Sequence, residues 1–158
     1  MAYKRILVPV DGSPTSNTGL DEALKLARTG RARIRLVHII DDTLAFATPD
    51  GAGVNYVLDA LRKSGDDALS GAAARVRRAR IPAETDLVEN VTGRVADAIV
   101  ERAKRWRADL IVMGTHGRRG FDRLLIGSNA ELVVRSSTVP VLLVPAAGGT
   151  ARRSRKRG

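Results

Sequence analysis

The sequence predicts a single doubly wound α/β domain, a five-stranded parallel sheet with helices on both faces. Three observations predict it. Short apolar runs closed by turn residues alternate with longer segments whose apolar residues recur at helical spacing, in the order βαβαβαβαβ. The chain has 158 residues, the size of one domain with one core. Hydrophobic residues make up 44% of it but aromatics only 3%. The core must therefore be built from Val, Leu, Ile and Ala, as expected where helices pack on a parallel sheet. Right-handed crossovers leave few topologies for such an order. There is no internal repeat and no sign of a second domain.

Each element has a local reason. Residues 5–10, Arg-Ile-Leu-Val-Pro-Val, read as a buried strand that stops at the turn Asp11-Gly12-Ser13-Pro14. Pro9 has no N–H for a ladder and belongs at the very end of the paired region. A helix follows, with Ser13 or Ser16 as N-cap, Pro14 in its first turn, and a stripe of Leu20, Ala23, Leu24 and Ala27. Gly30 is its expected C-cap. Residues 34–40 form a second strand, and 41–56, with Pro49, Gly51 and Gly53, read as a loop. A helix is expected from about Val57 to Arg80, with Gly65 and Gly71 weakening its continuity. Pro82 closes it before a more polar strand at 83–89. Thr92 and Gly93 open a third helix, whose buried stripe is Val95, Ala96, Ile99, Ala103 and Trp106. Residues 109–113 make the fourth strand. A Gly-rich loop runs from Gly114 to Gly127, a short helix spans about Ser128 to Ser136, and 140–144 make the fifth strand. Residues 1–146 are expected to fold, and 147–158 to be a basic, disordered tail.

Composition narrows the function. The chain has no Cys, which excludes disulfides and thiolate metal sites. With two histidines, a histidine-cluster metal site is not expected. The N-terminal residues do not read as a signal peptide, and no apolar run approaches the ~20 residues of a membrane span. A soluble, cytoplasmic protein is expected. The net charge of +10 invites a nucleic-acid reading. Yet five of the positive charges, Arg152, Arg153, Arg155, Lys156 and Arg157, crowd into the tail, and most others are spread along helices. Nucleic acid is therefore not the expected partner.

In open α/β sheets, ligands bind beyond the carboxyl ends of the strands, where the strand order reverses. That directs attention to Pro9–Ser13, His38–Asp42 and Met113 onward. Gly114-Thr115-His116-Gly117-Arg118-Arg119-Gly120, continuing to Gly127-Ser128-Asn129, starts at a strand end and finishes at a helix N-terminus. Glycines let backbone N–H groups approach an anion, and the helix start adds unpaired donors and the positive end of its dipole. A second reading stands beside this one: Ser128 and Glu131 match a capping box, in which the serine caps its own helix.

Gly114-x2-Gly117-x9-Gly127-Ser128 resembles the G-x2-G-x9-G-[S/T] motif of the ATP-binding branch of the universal stress protein family. Ile6-Leu-Val-Pro-Val-Asp-Gly-Ser, Leu110-Ile-Val-Met-Gly-Thr-His-Gly and Val139-Pro-Val-Leu-Leu-Val-Pro also look like that family. The resemblance covers roughly residues 3–145. It implies strand order 3-2-1-4-5, an adenine nucleotide alpha hydrolase-like fold, and a nucleotide at the switch point. Carried over by position, Pro9, Val10 and Asp11 lie beside the nucleotide, and Ile39 and Met113 pack against adenine. Gly114, Gly117, Gly127 and Ser128 hold ribose and phosphates, with Asn129 and His116 next to them. The implied ligand is ATP, possibly with Mg. The resemblance also implies a homodimer through strand 140–144, which as an apolar edge would otherwise be exposed.

Asp11 has two readings, a carboxylate reaching a phosphate-bound Mg²⁺ or the start of an Asx turn at Asp-Gly-Ser. His38, inside an apolar strand, reads as a packed core histidine. Arg118 and Arg119 are phosphate contacts or solvated loop residues. No Walker A lysine precedes Ser128, and no positioned general base stands out. Binding of ATP with weak or no hydrolysis, in a stress-response or signalling role, is the leading expectation. An ATP-hydrolysing enzyme, or a protein that binds nucleic acid through the tail, are the alternatives.

Overall fold

The computed structural model describes residues 2–45, 53–90, 93–115 and 126–146. Five strands, β1 (Arg5–Pro9), β2 (Arg33–Asp41), β3 (Ala83–Asn90), β4 (Leu110–Gly114) and β5 (Val141–Val144), form one parallel sheet in the order β3-β2-β1-β4-β5. Helices α1 (Pro14–Gly30), α2 (Val54–Arg78), α3 (Val95–Trp106) and α4 (Ser128–Ser136) connect them. The strand order reverses at β1, with β2 on one side and β4 on the other.

The two faces are filled by alternate residues of the same strands. Ile6, Val8, Ile34, Leu36, Leu110 and Val112 meet α1 and α2 through Leu20, Ala23, Leu69 and Val76. Leu7, Val37, Ile39, Ile111 and Met113 meet α3 and α4 through Ala96, Ile99, Ala103, Trp106 and Val133. With both faces covered, β1 and β4 are apolar almost throughout.

Pro9 ends β1, as expected. It pairs in register with Val37, and the next residue, Val10, still donates its N–H to the Val37 carbonyl at 2.8 Å. Successive residues aim alternately at the two neighbours, so the donor that Pro9 lacks falls on the β4 side. There the pairing ends earlier, at Leu7 with Ile111.

Several boundaries differ from the sequence reading. The first helix starts as expected, with Ser13 as N-cap accepting from the Ser16 N–H at 3.1 Å and Pro14 behind it. At its other end, the left-handed cap residue is Arg31 (φ 52°), not Gly30. Gly30 answers a different demand. A Cβ there would lie 2.7 Å from the Tyr3 carbonyl oxygen. The expected loop 41–56 contains a 3-10 turn at Asp42–Leu44, and α2 begins already at Val54. Helix α2 runs unbroken through Gly65 and Gly71. Packing of its buried stripe outweighs the ~1 kcal/mol that each interior glycine costs. Helix α3 begins at Val95, with Arg94 at the N-cap position and no side-chain cap; Gly93 precedes it, and Thr92 lies outside the described residues. The tail 147–158 also lies outside them.

Candidate nucleotide site at the strand-order reversal

The carboxyl end of β1 lies in a notch. Strand β1 stops at Pro9, opposite Val37, whereas β2 continues to Asp41 and β4 to Gly114. Everything the sequence singled out near residues 9–11, 39 and 113–114 therefore meets here.

The turn that leaves β1 is locked by its own side chains. The Ser13 N–H donates to Asp11 Oδ1 at 2.8 Å, the Asx turn expected of Asp-Gly-Ser. The Asp11 N–H donates to Ser16 Oγ at 3.2 Å. Gly12 sits at φ 78°, which glycine adopts without strain. The N-terminus of α1 is thus occupied by Ser13 and by Pro14, which has no N–H. It has little left to offer an anion.

Helix α4 differs. Its N-cap is Gly127, with no side-chain cap. The capping box that stood as the second reading of Ser128 and Glu131 does not form. Ser128 is the first helical residue and exposed, too far along to cap the turn, while Glu131 pairs with Arg135 at 2.9 Å. The first intrahelical bond runs from the Glu131 N–H to the Gly127 carbonyl, leaving the earlier N–H groups of the turn without an intrahelical acceptor. Loop geometry brings this helix start to the notch. The Thr115 N–H donates to the Val144 carbonyl at 3.0 Å, and the Gly127 N–H donates to the Thr115 carbonyl at 2.6 Å. Gly114-Thr115 and Gly127-Ser128, twelve residues apart in the motif, are neighbours in space. His116, Gly117, Arg118 and Arg119 lie outside the described residues.

Gly114 also has a packing reason. A Cβ there would approach the Thr15 carbonyl oxygen to 2.5 Å, and one on Gly19 would approach the Gly114 nitrogen to 2.9 Å. The two glycines let α1 lie directly on the end of β4. Ile39 and Met113 are buried side chains of the same apolar cluster, on the α3 and α4 face of the sheet. Asn129, beside Ser128, is exposed.

Sequence reasoning missed three contributors. His38 is more than a packed core residue: its Nδ1 lies 2.7 Å from the Val10 carbonyl, so it is the Nδ1–H tautomer that donates there. Ser16 and Thr15 are buried polar residues that shape the turn and the α1–β4 contact. The sequence offers Ser16 as an alternative N-cap and His38 as a core residue near the switch point, but nothing local points to these contacts or to Thr15. Asp42, also buried, follows the end of β2.

The family model described as Universal stress protein family matches residues 2–145. The chain belongs to this family. Universal stress protein MJ0531 of Methanocaldococcus jannaschii is 32% identical over 142 residues, spanning 90% of this chain and 82% of the relative. A universal stress protein family structure from Burkholderia pseudomallei has a TM-score of 0.74 at 34% identity, covering 91% of this chain and 97% of that one. A universal stress protein solved in complex with cAMP has a TM-score of 0.64 at 27% identity, covering 93% of this chain and 100% of that one. One from Archaeoglobus fulgidus in complex with dAMP has a TM-score of 0.65 at 25% identity, covering 90% and 98%. Within this universal stress protein, no described helix is long and apolar enough to cross a membrane.

Proposed function

We propose that this universal stress protein binds an adenine nucleotide, ATP being the expected form, in the notch at the end of β1. The observation that carries the reading is the pairing of a glycine-capped helix start with the closed base of the motif loop. Gly127 adds no cap to α4, and the 2.6 Å bond from Gly127 to Thr115 holds that helix start at the switch point. Backbone donors of α4, the Ser128 hydroxyl and the motif glycines would hold the phosphates and ribose. Ile39 and Met113 would present apolar edges to the base, beside Pro9, Val10 and Asp11. The relatives solved with cAMP and dAMP support an adenine nucleotide as the ligand class.

Magnesium, where present, would be held chiefly by the phosphates. The described residues contain no group of three or more His, Asp or Glu able to hold a metal, and Asp11 Oδ1 already accepts from Ser13. Asp11 would add at most one carboxylate ligand. The groups around the notch are suited to recognition rather than turnover, so hydrolysis is expected to be slow or absent. The role we propose is a cytoplasmic stress-response or signalling module whose assembly or partners respond to nucleotide.

Isothermal titration with Mg-ATP tests the site. Wild type should bind with micromolar affinity, and the Gly117→Val, Ser128→Ala double variant should lose it. No heat of binding with wild type overturns the proposal. Steady turnover abolished in the double variant would favour the ATPase reading instead.

A further inference from the structure

The arginines that the sequence scatters along helices converge on one end of the molecule. In a parallel α/β sheet, the helix C-termini and strand N-termini share an end, opposite the switch point. Here the Arg33 N–H bonds to the Lys4 carbonyl, the Ile34 N–H to the Pro82 carbonyl and the Asp109 N–H to the Arg5 carbonyl. The turns α2–β3 and α1–β2 therefore lie side by side, with the turn α3–β4 across the start of β1 from them. Each carries an exposed arginine just past its helix: Arg31 and Arg107 directly follow α1 and α3, and Arg80 lies two residues beyond α2. Arg28, Arg77 and Lys104 stand exposed beside them. None of these six pairs with a carboxylate among the described residues. The acids at this end are engaged already. Glu84 pairs with Arg35 and Arg33, and Asp109 accepts from the Lys4 and Arg5 N–H groups.

Favourable placement of cations at helix C-termini accounts for Arg28, Arg77 and Lys104. It favours the charge of the other three as well, but not the left-handed backbone they adopt. Arg31, Arg80 and Arg107 stand at φ 52°, 56° and 55°, and they are the non-glycine residues of positive φ among the described ones. The cap hydrogen bond at each turn comes from the backbone N–H, which glycine would supply without strain. What the arginine adds is its guanidinium, held outward at a backbone cost.

We infer that this end of the sheet is a docking surface for the phosphate backbone of a nucleic acid, with Arg31, Arg80 and Arg107 as phosphate contacts. With strands about 4.8 Å apart, the three turns spread over roughly 15 Å, a broad face of net positive charge rather than a pocket. That shape suits an extended polyanion more than a single anion. The preference for arginine over lysine suits planar, bidentate phosphate contact. The surface lies at the opposite end from the proposed nucleotide site and does not depend on that reading.

The test is fluorescence anisotropy of labelled single-stranded DNA of ~20 nucleotides, with the full chain and an Arg31→Gly, Arg80→Gly, Arg107→Gly variant. The glycines relieve left-handed backbone, so the variant should keep its Tm and remain a valid control for folding. Wild type should bind, and the variant should bind at least tenfold more weakly at low salt. Each phosphate contact on a single strand adds about −0.7 to the slope of log K against log salt, so the variant's slope should be shallower by about 2. Saturating Mg-ATP and deletion of 150–158 should each leave the difference between wild type and variant intact. Equal affinities, absent wild-type binding, or a difference that vanishes on adding ATP or removing the tail overturns the inference. So does tighter binding to phosphatidylserine vesicles or polyglutamate than to DNA at the same salt.

Discussion

His38 shows how one side chain joins two elements at the site. Its Nδ1–H reaches the Val10 carbonyl, one residue past β1, at 2.7 Å. The Val10 N–H is held by Val37, so both backbone groups of Val10 are tied to β2. The ring needs room, and Gly65 of α2 provides it. A Cβ at 65 would stand 2.6 Å from His38 Cδ2 and 2.7 Å from Leu87 Cδ1. The glycine that weakened the helix in sequence terms is where α2 closes over the histidine. His38→Leu should leave the Val10 carbonyl without its partner, costing about 1–3 kcal/mol. It should also weaken Mg-ATP binding measured by titration. His38→Asn, whose amide nitrogen stands near the position of Nδ1, should recover most of both. Equal behaviour of the two variants would count against the tether.

At the scale of elements, the join between β2, β3 and α3 is electrostatic as well as apolar. Arg5 and Arg35 lie with their guanidinium carbons 4.9 and 5.1 Å from the centre of the Trp106 ring, at the C-terminus of α3. Their Nε atoms are buried without a hydrogen-bond partner, so the ring face is the compensation they have. Arg35 also pairs with Glu84 of β3 at 2.5 Å. That hydrogen bond, more than offsetting the effect of burial, holds the Glu84 carboxyl below its ordinary value. A hydrogen bond from Arg62 of α2 does the same for Glu89. Both groups have a folded-state pKa below the unfolded one. Their stabilisation is therefore present above the unfolded value of about 4.3 and is lost as pH falls through the folded one. Thermal melts from pH 6 to pH 3 should show wild-type Tm falling more steeply below about pH 4.5 than that of Glu84→Gln. Parallel curves would mean that the pair contributes nothing measurable. Exposure of the Glu84 carboxylate keeps the effect modest.

For the whole molecule, the two edges of the sheet differ. β3 is laced with charge: Glu84 with Arg35, Asp86 with Arg102 at 3.4 Å, Glu89 with Arg62 at 2.7 Å. Such an edge resists strand addition. β5 is Val-Leu-Leu-Val, half-buried and next to β4 alone. If two copies pair, β5 is the edge with the chemistry for it. Sedimentation at micromolar concentration should find a dimer, and Leu142→Lys with Val144→Lys should shift it to monomer. Monomer throughout for wild type would remove the homodimer from the account.

The sequence by itself determined the fold class, the order of elements and the two ends of the motif loop, at the close of β4 and the start of α4. Those rest on short-range patterns: apolar runs, helical stripes such as Leu20, Ala23 and Ala27, and punctuation by Gly and Pro. It also determined the turn at Asp11-Gly12-Ser13, because an Asx turn forms between residues two apart. The boundaries of α2 and the fate of its glycines were not legible, since a glycine's cost is local and its compensation by packing is not. For the same reason, Ser128 and Glu131 matched a capping box that did not form. Only the tertiary structure put Gly127 at the N-cap, within reach of Thr115. It also gave His38 the Val10 carbonyl, set Gly30 against Tyr3, and gathered arginines from three separate turns onto one end. Each depends on close approach between segments far apart in sequence, and such distances exist only once the sheet has set strand order and register.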